Sequence, residues 1–288
     1  MEFLKVDAGG DLENLALDEA VVRLVGSRGG EALRVYPGRG SLVLGRRTPP
    51  PEDSPLPLAR RMSGGPPYPL CPGWVGVLLV RRTDEPAQEA CSSLAGELSR
   101  MLELEPGEGL PRPAVGGFAF FMEAAALQAG VWVRGEPPWR PEGAVSLESL
   151  GLDLRLGEDL PSRDPSEEEL ELAERLLERK YRTKAWVERG REPLTLMDLL
   201  VEVYLANPPT RVCAATLGAV EEAVRGLEDR IEVRVWLRGG GRPPGVPVSG
   251  GLARAAKESK VPAVIVNGEL VAWGKAPSAS ELRRLIEE

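Results

Sequence analysis

The sequence predicts an α/β (α+β) chain of two domains. Three observations lead there. At 288 residues the chain is longer than one hydrophobic core ordinarily organises. Strand-like and helix-like segments alternate through two blocks, separated by the polar stretch Glu188–Pro193. The second block reads β-α-β-α-β-β-α. The expected domains are 1–195 and 196–288.

In the first block Asp11 is a suitable N-cap for a helix carrying Leu17, Val21, Leu24 and Val25 on one face. Gly26 and Gly29-Gly30 end it. Leu33–Tyr36 and Ser41–Gly45 are short strands flanking a Pro-Gly-Arg-Gly turn, and the proline-rich Thr48–Pro57 is a loop. Trp74–Val80 reads as a buried strand, Pro86–Leu104 as a helix and Ala129–Val133 as a strand. Ser166 with Glu169 forms a capping box for a helix running toward Tyr181. In the second block Leu199–Leu205 is a strand, Asn207–Val212 a loop and Ala214–Leu227 a helix. Ile231–Leu237 is a strand and Arg238–Pro247 a loop. Gly251–Ser259 is a helix, Ala263–Asn267 and Glu269–Trp273 are strands, and a last helix starts at Ser278 with Glu281 completing its cap.

Composition removes several functions. With 36 Lys+Arg against 44 Asp+Glu the net charge is −8, which disfavours nucleic acid as a partner because phosphates call for clustered positive charge. The apolar runs Gly73–Val80 and Ala114–Met122 are far shorter than the ~20 residues a membrane helix needs, so no membrane association is expected. The N-terminus has no basic and apolar leader pattern, which makes the cytoplasm the expected location. Histidine is absent, so Ser-His-Asp and Cys-His pairs and His-ligated metals are excluded. Cys71, Cys91 and Cys213 are odd in number and widely spaced, giving no CxxC, zinc knuckle or disulfide framework. Residues 6–179 contain no lysine.

Four ordered stretches resemble the lipoate–protein ligase family. Asn14-Leu15-Ala16-Leu17-Asp18-Glu19-Ala20 is similar to its opening helix. Leu33–Tyr36 and Ser41–Arg46 are similar to its paired strands, and Arg60-Arg61-Met62-Ser63-Gly64-Gly65 to its arginine-pair and glycine-loop motif. Glu174–Trp186 is similar to its closing helix and aromatic turn. The resemblance covers roughly residues 1–195. It implies an α/β domain that holds lipoate or octanoate in an apolar tunnel, activates it as an acyl-adenylate with ATP, and transfers it to a carrier-protein lysine. Arg60, Arg61, Ser63, Gly64, Gly65 and Ala119 are the candidate ligand-binding positions.

The chemistry implied by that family demands a cation where a carboxylate meets an α-phosphate. The family supplies a lysine there, and the best alignment, Gly117–Met122, puts Ala119 at that position. An arginine is a planar fork, not a mobile point charge. The glycine loop departs as well: Pro66-Pro67 stand where N–H donors would be, and Leu70 and Cys71 replace the family's histidine and aspartate. Arg60, Arg61, Ser63, Gly64 and Gly65 then either shape a tight turn or keep an anion- or acyl-binding role. Asp18 and Glu19 read as a solvated helix face. Phe118, Phe120, Phe121 and Met122 read as core packing, or as side chains that fill the tunnel. Lys180, Lys184 or a lysine of the second domain brought into the pocket would reverse the case for inactivity.

Val261-Pro262 with Ala263–Gly274 resembles the cis-proline strand and hairpin of thioredoxins and glutaredoxins, over about residues 197–288. The resemblance implies a thioredoxin-like β-α-β-α-β-β-α domain. Its site would comprise Thr210, Cys213, Val261 and Pro262. With Thr210 in the first motif position Cys213 is an orphan resolving cysteine; with Cys213 first the motif is CxxT. Neither register cycles through an internal disulfide, and Cys213 is either a buried apolar thiol or a reactive one.

The leading expectation is a non-catalytic protein that binds an acyl or lipoyl group, a lipoyl carrier protein or a sulfur-metabolism partner, with no resident cofactor and no metal. The alternatives are an active lipoate or octanoate ligase using arginine for lysine, and a monothiol redox or persulfide carrier working through Cys213.

Overall fold

The apolar run around Val77–Val80 lies in β6 (Trp74–Arg82), the middle of the largest sheet in a computed structural model of the chain. Described are residues 1–4, 6–104, 110–111, 113–136, 146–148, 160–241 and 246–287; Lys5 and part of the Arg238–Pro247 loop lie outside them. The chain divides into two compact units, Met1–Arg191 and Glu192–Glu288.

In the first unit β6 is flanked by antiparallel β2 (Glu31–Pro37) and β8 (Ala124–Trp132). Beyond β8, β7 (Ala114–Phe121) forms an antiparallel edge. Beyond β2, β1 (Glu2–Leu4) and β9 (Ser162–Arg163) run parallel. Helix α1 (Asp11–Arg28) covers one face, burying Leu17, Val21 and Val22 against Leu78, Val80 and Ala126. Helix α2 (Ala87–Met101) covers the other, with Leu94 and Leu98 against Val77, Leu79 and Leu127. All nine residues of β8 are buried, as a strand covered on both faces requires.

Asp11 is not the N-cap of α1. Gly10 holds that position, because the Asp11 carboxylate is already engaged by the β2–β3 turn and accepts from the Arg39 N–H at 3.0 Å. A smaller sheet, ordered β4-β3-β5, is built from β3 (Ser41–Leu44), parallel β4 (Leu58–Arg60) and antiparallel β5 (Tyr68–Leu70). The Arg60-Arg61 pair and glycine loop connect β4 to β5. The Ser166–Glu169 capping box is formed in both directions at the start of α3 (Glu167–Leu176). A wider π-helical turn, Leu177–Tyr181, follows, and Thr183 caps the short α4 (Lys184–Val187).

In the second unit β10 (Leu199–Leu205) pairs in parallel with β11 (Ile231–Leu237) and antiparallel with β12 (Ala263–Val266). The strand β13 (Glu269–Trp273) is antiparallel to β12, giving the order β11-β10-β12-β13. On one face α5 (Arg211–Val224) and α7 (Ala279–Glu287) pack over Val201, Val203 and Leu205; on the other α6 (Gly250–Lys257) packs over Tyr204 and Ile265. The loop before α5 is shorter than its sequence suggests, because Thr210 caps the helix three residues earlier than the expected start at Ala214.

Glu202, on the α6 face of β10, is fully buried, and among the described residues neither carboxylate oxygen makes a hydrogen bond of ordinary geometry, though Ser249 and Trp236 lie beside it. Burial pushes its carboxyl above the ordinary value of 4.5; Ser249 and Arg234 offset part of the effect. An acid whose folded pKa is raised contributes stability that is complete below its unfolded value and declines as pH rises through the folded one. Glu202→Gln is therefore expected to raise the melting temperature at pH 7 and to change it little at pH 4, measured by circular dichroism. A variant less stable than the parent at pH 7 would contradict the account of an uncompensated buried charge.

Candidate functional site

Arg60 and Arg61 leave the end of β4 side by side and are both buried. A buried guanidinium must have its N–H groups satisfied, and here the main chain does so. Arg60 donates through Nη1 to the carbonyls of Gly45 (2.6 Å), Arg46 (3.1 Å) and Thr48 (2.8 Å). Its Nε donates to Val187 O at 2.9 Å and its Nη2 to Glu188 O at 3.4 Å. Arg61 donates to Ser63 Oγ at 2.8 Å, Val43 O at 3.3 Å, Pro66 O at 2.9 Å and Gly64 O. Its guanidinium also lies 4.8 Å over the ring of Tyr68. Desolvation lowers Arg61 to about 10, which leaves it charged at neutral pH. The pair binds backbone, and its forks face inward.

The glycine loop rests directly on β7. Gly64 N–H donates to Phe118 O at 3.2 Å. A Cβ on Gly65 would lie 2.1 Å from Gly116 O, and one on Gly117 would lie 2.2 Å from Gly64 O. Only glycines permit this approach, and Gly65 also has φ +87°. Ala119 is buried on the α1 face, in the cluster of Leu17, Val21 and Met62. Where the family resemblance calls for an ammonium group, the strand carries a methyl in an apolar core.

Of the four apolar residues around it, Phe118, Phe120, Phe121 and Met122, Phe118 packs toward α2 and Phe121 toward α1. Phe120 and Met122 are 47% and 67% exposed, against the expectation of core packing. They sit at the end of the edge strand and in its hairpin, where no element among the described residues covers them.

Asp18 and Glu19 are not a solvated helix face; both are buried. Asp18 pairs with Arg34 and accepts from Tyr36 OH (2.8 Å) and Gln128 Nε2 (3.1 Å). Arg34 Nη2 donates to Asn14 Oδ1 at 2.9 Å, and Gln128 Oε1 accepts from the Ser63 N–H at 3.2 Å. This network ties α1, β2 and β8 to the glycine loop. Burial raises the Asp18 carboxyl, with the Arg34 charge and the Gln128 and Tyr36 hydrogen bonds opposing. The sequence signal for it was Arg34 itself, a cation inside the apolar strand Leu33–Tyr36.

Glu19 anchors a second network. Its Oε1 accepts from Arg23 at 2.6 Å; its Oε2 accepts from Lys180 Nζ at 2.7 Å and Tyr181 OH at 2.8 Å. The Lys180 ammonium lies 3.9 Å over the ring of Trp186, whose indole N–H donates to Arg60 O at 2.9 Å. Lys180 is thus turned into the unit, with its charge balanced by Glu19. Burial works against the ionised Glu19, but Lys180 and Arg23 outweigh it and hold the carboxyl at about 2.

In the second unit Thr210 is the N-cap of α5. It accepts from the Cys213 N–H at 3.2 Å, while its hydroxyl contacts Cys213 Sγ at 3.3 Å. Cys213 is fully buried among Val201, Val220 and Leu282. Burial pushes its thiol up, yet the Thr210 contacts leave it below the ordinary value. The Val261–Pro262 bond is cis and leads into β12. Among the described residues no cluster of acidic, cysteine or histidine side chains could hold a metal, and no helix is long and apolar enough to cross a membrane.

Removing one partner of a buried ion pair strands the other. In Lys180→Met the Glu19 carboxylate keeps Arg23 and Tyr181, so the cost in urea unfolding at pH 7 should be clear but below the ~3–5 kcal/mol of a fully stranded charge. Because Glu19 is held below its ordinary value of 4.5, its contribution is complete above that pH and disappears as pH falls toward 2. The deficit of the variant should accordingly shrink over that acid range; a deficit independent of pH would exclude the ion pair as its source.

No protein-family model and no curated protein matches the chain. Solved structures do match. A Thermoplasma acidophilum protein described as a lipoate protein ligase, with bound lipoic acid, is 20% identical at a TM-score of 0.54, covering 65% of this chain and 98% of its own. A structure from the same organism, described as a bi-partite lipoate protein ligase with its E2 lipoyl domain, is 20% identical at 0.53, covering 66% and 97%. A lipoate-protein ligase A bound with ATP is 20% identical at 0.54, covering 66% and 99%. At that identity the likeness concerns the fold: about two thirds of this chain is folded like lipoate–protein ligases.

Proposed function

We propose that this chain is a non-catalytic protein of the lipoate-ligase fold that binds a lipoyl carrier protein, joined to a thioredoxin-like domain that lacks a dithiol. One observation carries the reading: the buried cations Arg60, Arg61 and Lys180 are committed to the protein's own groups. Arg60 and Arg61 bind backbone carbonyls, Lys180 binds Glu19, and Ala119 occupies the position where a lysine would meet two anions. Acyl-adenylate formation needs a cation free to follow developing negative charge. The prolines after Gly65 remove further donors, and the contact of Gly64–Gly65 with Gly116–Gly117 closes the approach from β7. Carrier binding fits this geometry better than acyl binding, since it calls on an outer surface and not on the loop's interior. The description of a ligase of this fold together with its E2 lipoyl domain supports that choice of partner.

The thioredoxin-like reading of the second unit is supported by the β11-β10-β12-β13 order, the helices on both faces and the cis bond before Pro262. Thr210 at the N-cap favours the register in which it stands first and Cys213 is the orphan. A thiol sealed in the core favours a packing role for Cys213 over a carrier role.

Incubation with lipoate or octanoate, ATP and Mg²⁺ should release no pyrophosphate, and Ala119→Lys alone should not restore it. Calorimetric titration with an isolated lipoyl domain should show binding without acylation. Pyrophosphate release or acylated carrier would overturn the non-catalytic reading; no heat of binding from apo or lipoylated carrier would overturn the choice of partner.

A further inference from the structure

Strand β11 is an edge of its sheet, with β10 as its hydrogen-bonded neighbour. Two bonds fix which way its backbone faces. Leu199 N–H donates to Arg230 O at 3.2 Å, and Arg238 N–H donates to Leu205 O at 2.8 Å. In a parallel ladder, bonding residues alternate, so Glu232, Arg234 and Trp236 turn their amides and carbonyls toward β10. Val233 and Val235 turn both their amides and carbonyls to the edge, as do the Ile231 carbonyl and the Leu237 N–H; the Ile231 N–H donates to Leu227 O at 3.0 Å and Leu237 O accepts from the Gly240 N–H at 2.9 Å. These same residues carry the strand's aliphatic side chains, and Val233, Val235 and Leu237 are 37%, 48% and 42% exposed. Folded chains ordinarily blunt such an edge with proline, lysine or a bulge. β11 contains no proline or lysine and keeps an unbroken register with β10.

We propose that β11 pairs antiparallel with β11 of a second copy of this chain, about a two-fold axis at Val235, so that one sheet runs through both copies. Charge selects the register. With the axis at Arg234 that residue would face itself, and Arg230 would face the partner's Arg238; like charges directly opposed across strands repel. With the axis at Val235 the aliphatic pairs are Val235 with the partner's Val235 and Val233 with the partner's Leu237. On the other face Glu232 and Arg234 are paired with each other at 2.6 Å within each copy, and this register adds the partner's Arg238 opposite Glu232 and the partner's Trp236 opposite Arg234, an ion pair and a cation–ring contact. Every residue from Glu232 to Arg238 then has a compatible opposite, and each relation occurs twice, as an isologous interface requires. An axis at Val233 would leave Trp236 and Leu237 beyond the paired strands. The proposal is independent of the lipoyl-carrier reading.

The test is sedimentation of the full chain at micromolar concentration. The parent should be a dimer, and Val235→Lys should be a monomer with an unchanged melting profile, since the side chain is half exposed. In a Cys91→Ser background, mild oxidation should cross-link Val235→Cys to itself and leave Val233→Cys uncross-linked. A monomeric parent would overturn the proposal and leave the edge to a strand of some other protein. A Val235→Lys chain that remains dimeric would place the interface elsewhere. Cross-linking of Val233→Cys in place of Val235→Cys would overturn the register.

Discussion

The first unit depends on two guanidinium groups turned away from solvent. A guanidinium presents five N–H donors in one plane, and burying it unsatisfied would cost more than most domains can lose. Arg60 and Arg61 are satisfied by carbonyls drawn from Val43–Thr48, from the glycine loop and from Val187–Glu188. Three segments distant in sequence are thereby held to one point. Lysine could not replace either residue, because a single ammonium cannot reach carbonyls lying on several sides of the plane. The arginine-pair motif reads like a binding signature, yet it functions here as an internal clamp.

Around that clamp Asp18 and Glu19 of α1 are paired inward. Asp18 is met by Arg34, and Glu19 by Arg23 and Lys180. Neighbours in a helix point about 100° apart, so one pair reaches the sheet while the other reaches the segment after α3. The two networks meet the clamp at separate points, Ser63 and Trp186. A unit laced together in this way has fixed charges at its centre. That suits a rigid surface presented to a partner better than a site whose charges must follow a reaction.

Much of the architecture was legible because it rests on local chemistry. The Ser166–Glu169 box, the helix toward Tyr181, the strand at Trp74–Val80 and the whole order of the second unit follow from capping residues and apolar periodicity. The three-residue strands β4 and β5 were not legible, since too few positions exist for alternation to show and Pro69 argues against a strand. The hairpin β7–β8 was obscured by its glycines and alanines, whose small side chains serve the close approach of the loop and of Tyr68 rather than a periodic face. Asp18 and Glu19 were misread because charged residues on an opening helix are usually solvated; Arg34 and Lys180 lie 16 and 161 residues away, and the local pair of Glu19 with Arg23 is equally at home on a solvated face. The absence of lysine from residues 6–179 was legible, but where Lys180 goes required the fold.

The π-helical turn at Leu177–Tyr181 gives Lys180 and Tyr181, adjacent in sequence, a common acceptor in Glu19 Oε2. A regular turn would aim one of them elsewhere. The extra residue sets the phase of everything downstream: Thr183 as a cap, Trp186 beneath the ammonium, Val187 and Glu188 at the Arg60 fork. Deleting any one residue of this turn would rotate the following segment by a large fraction of a circle and withdraw all of these contacts together. Substitution and shortening are therefore very different insults at this place.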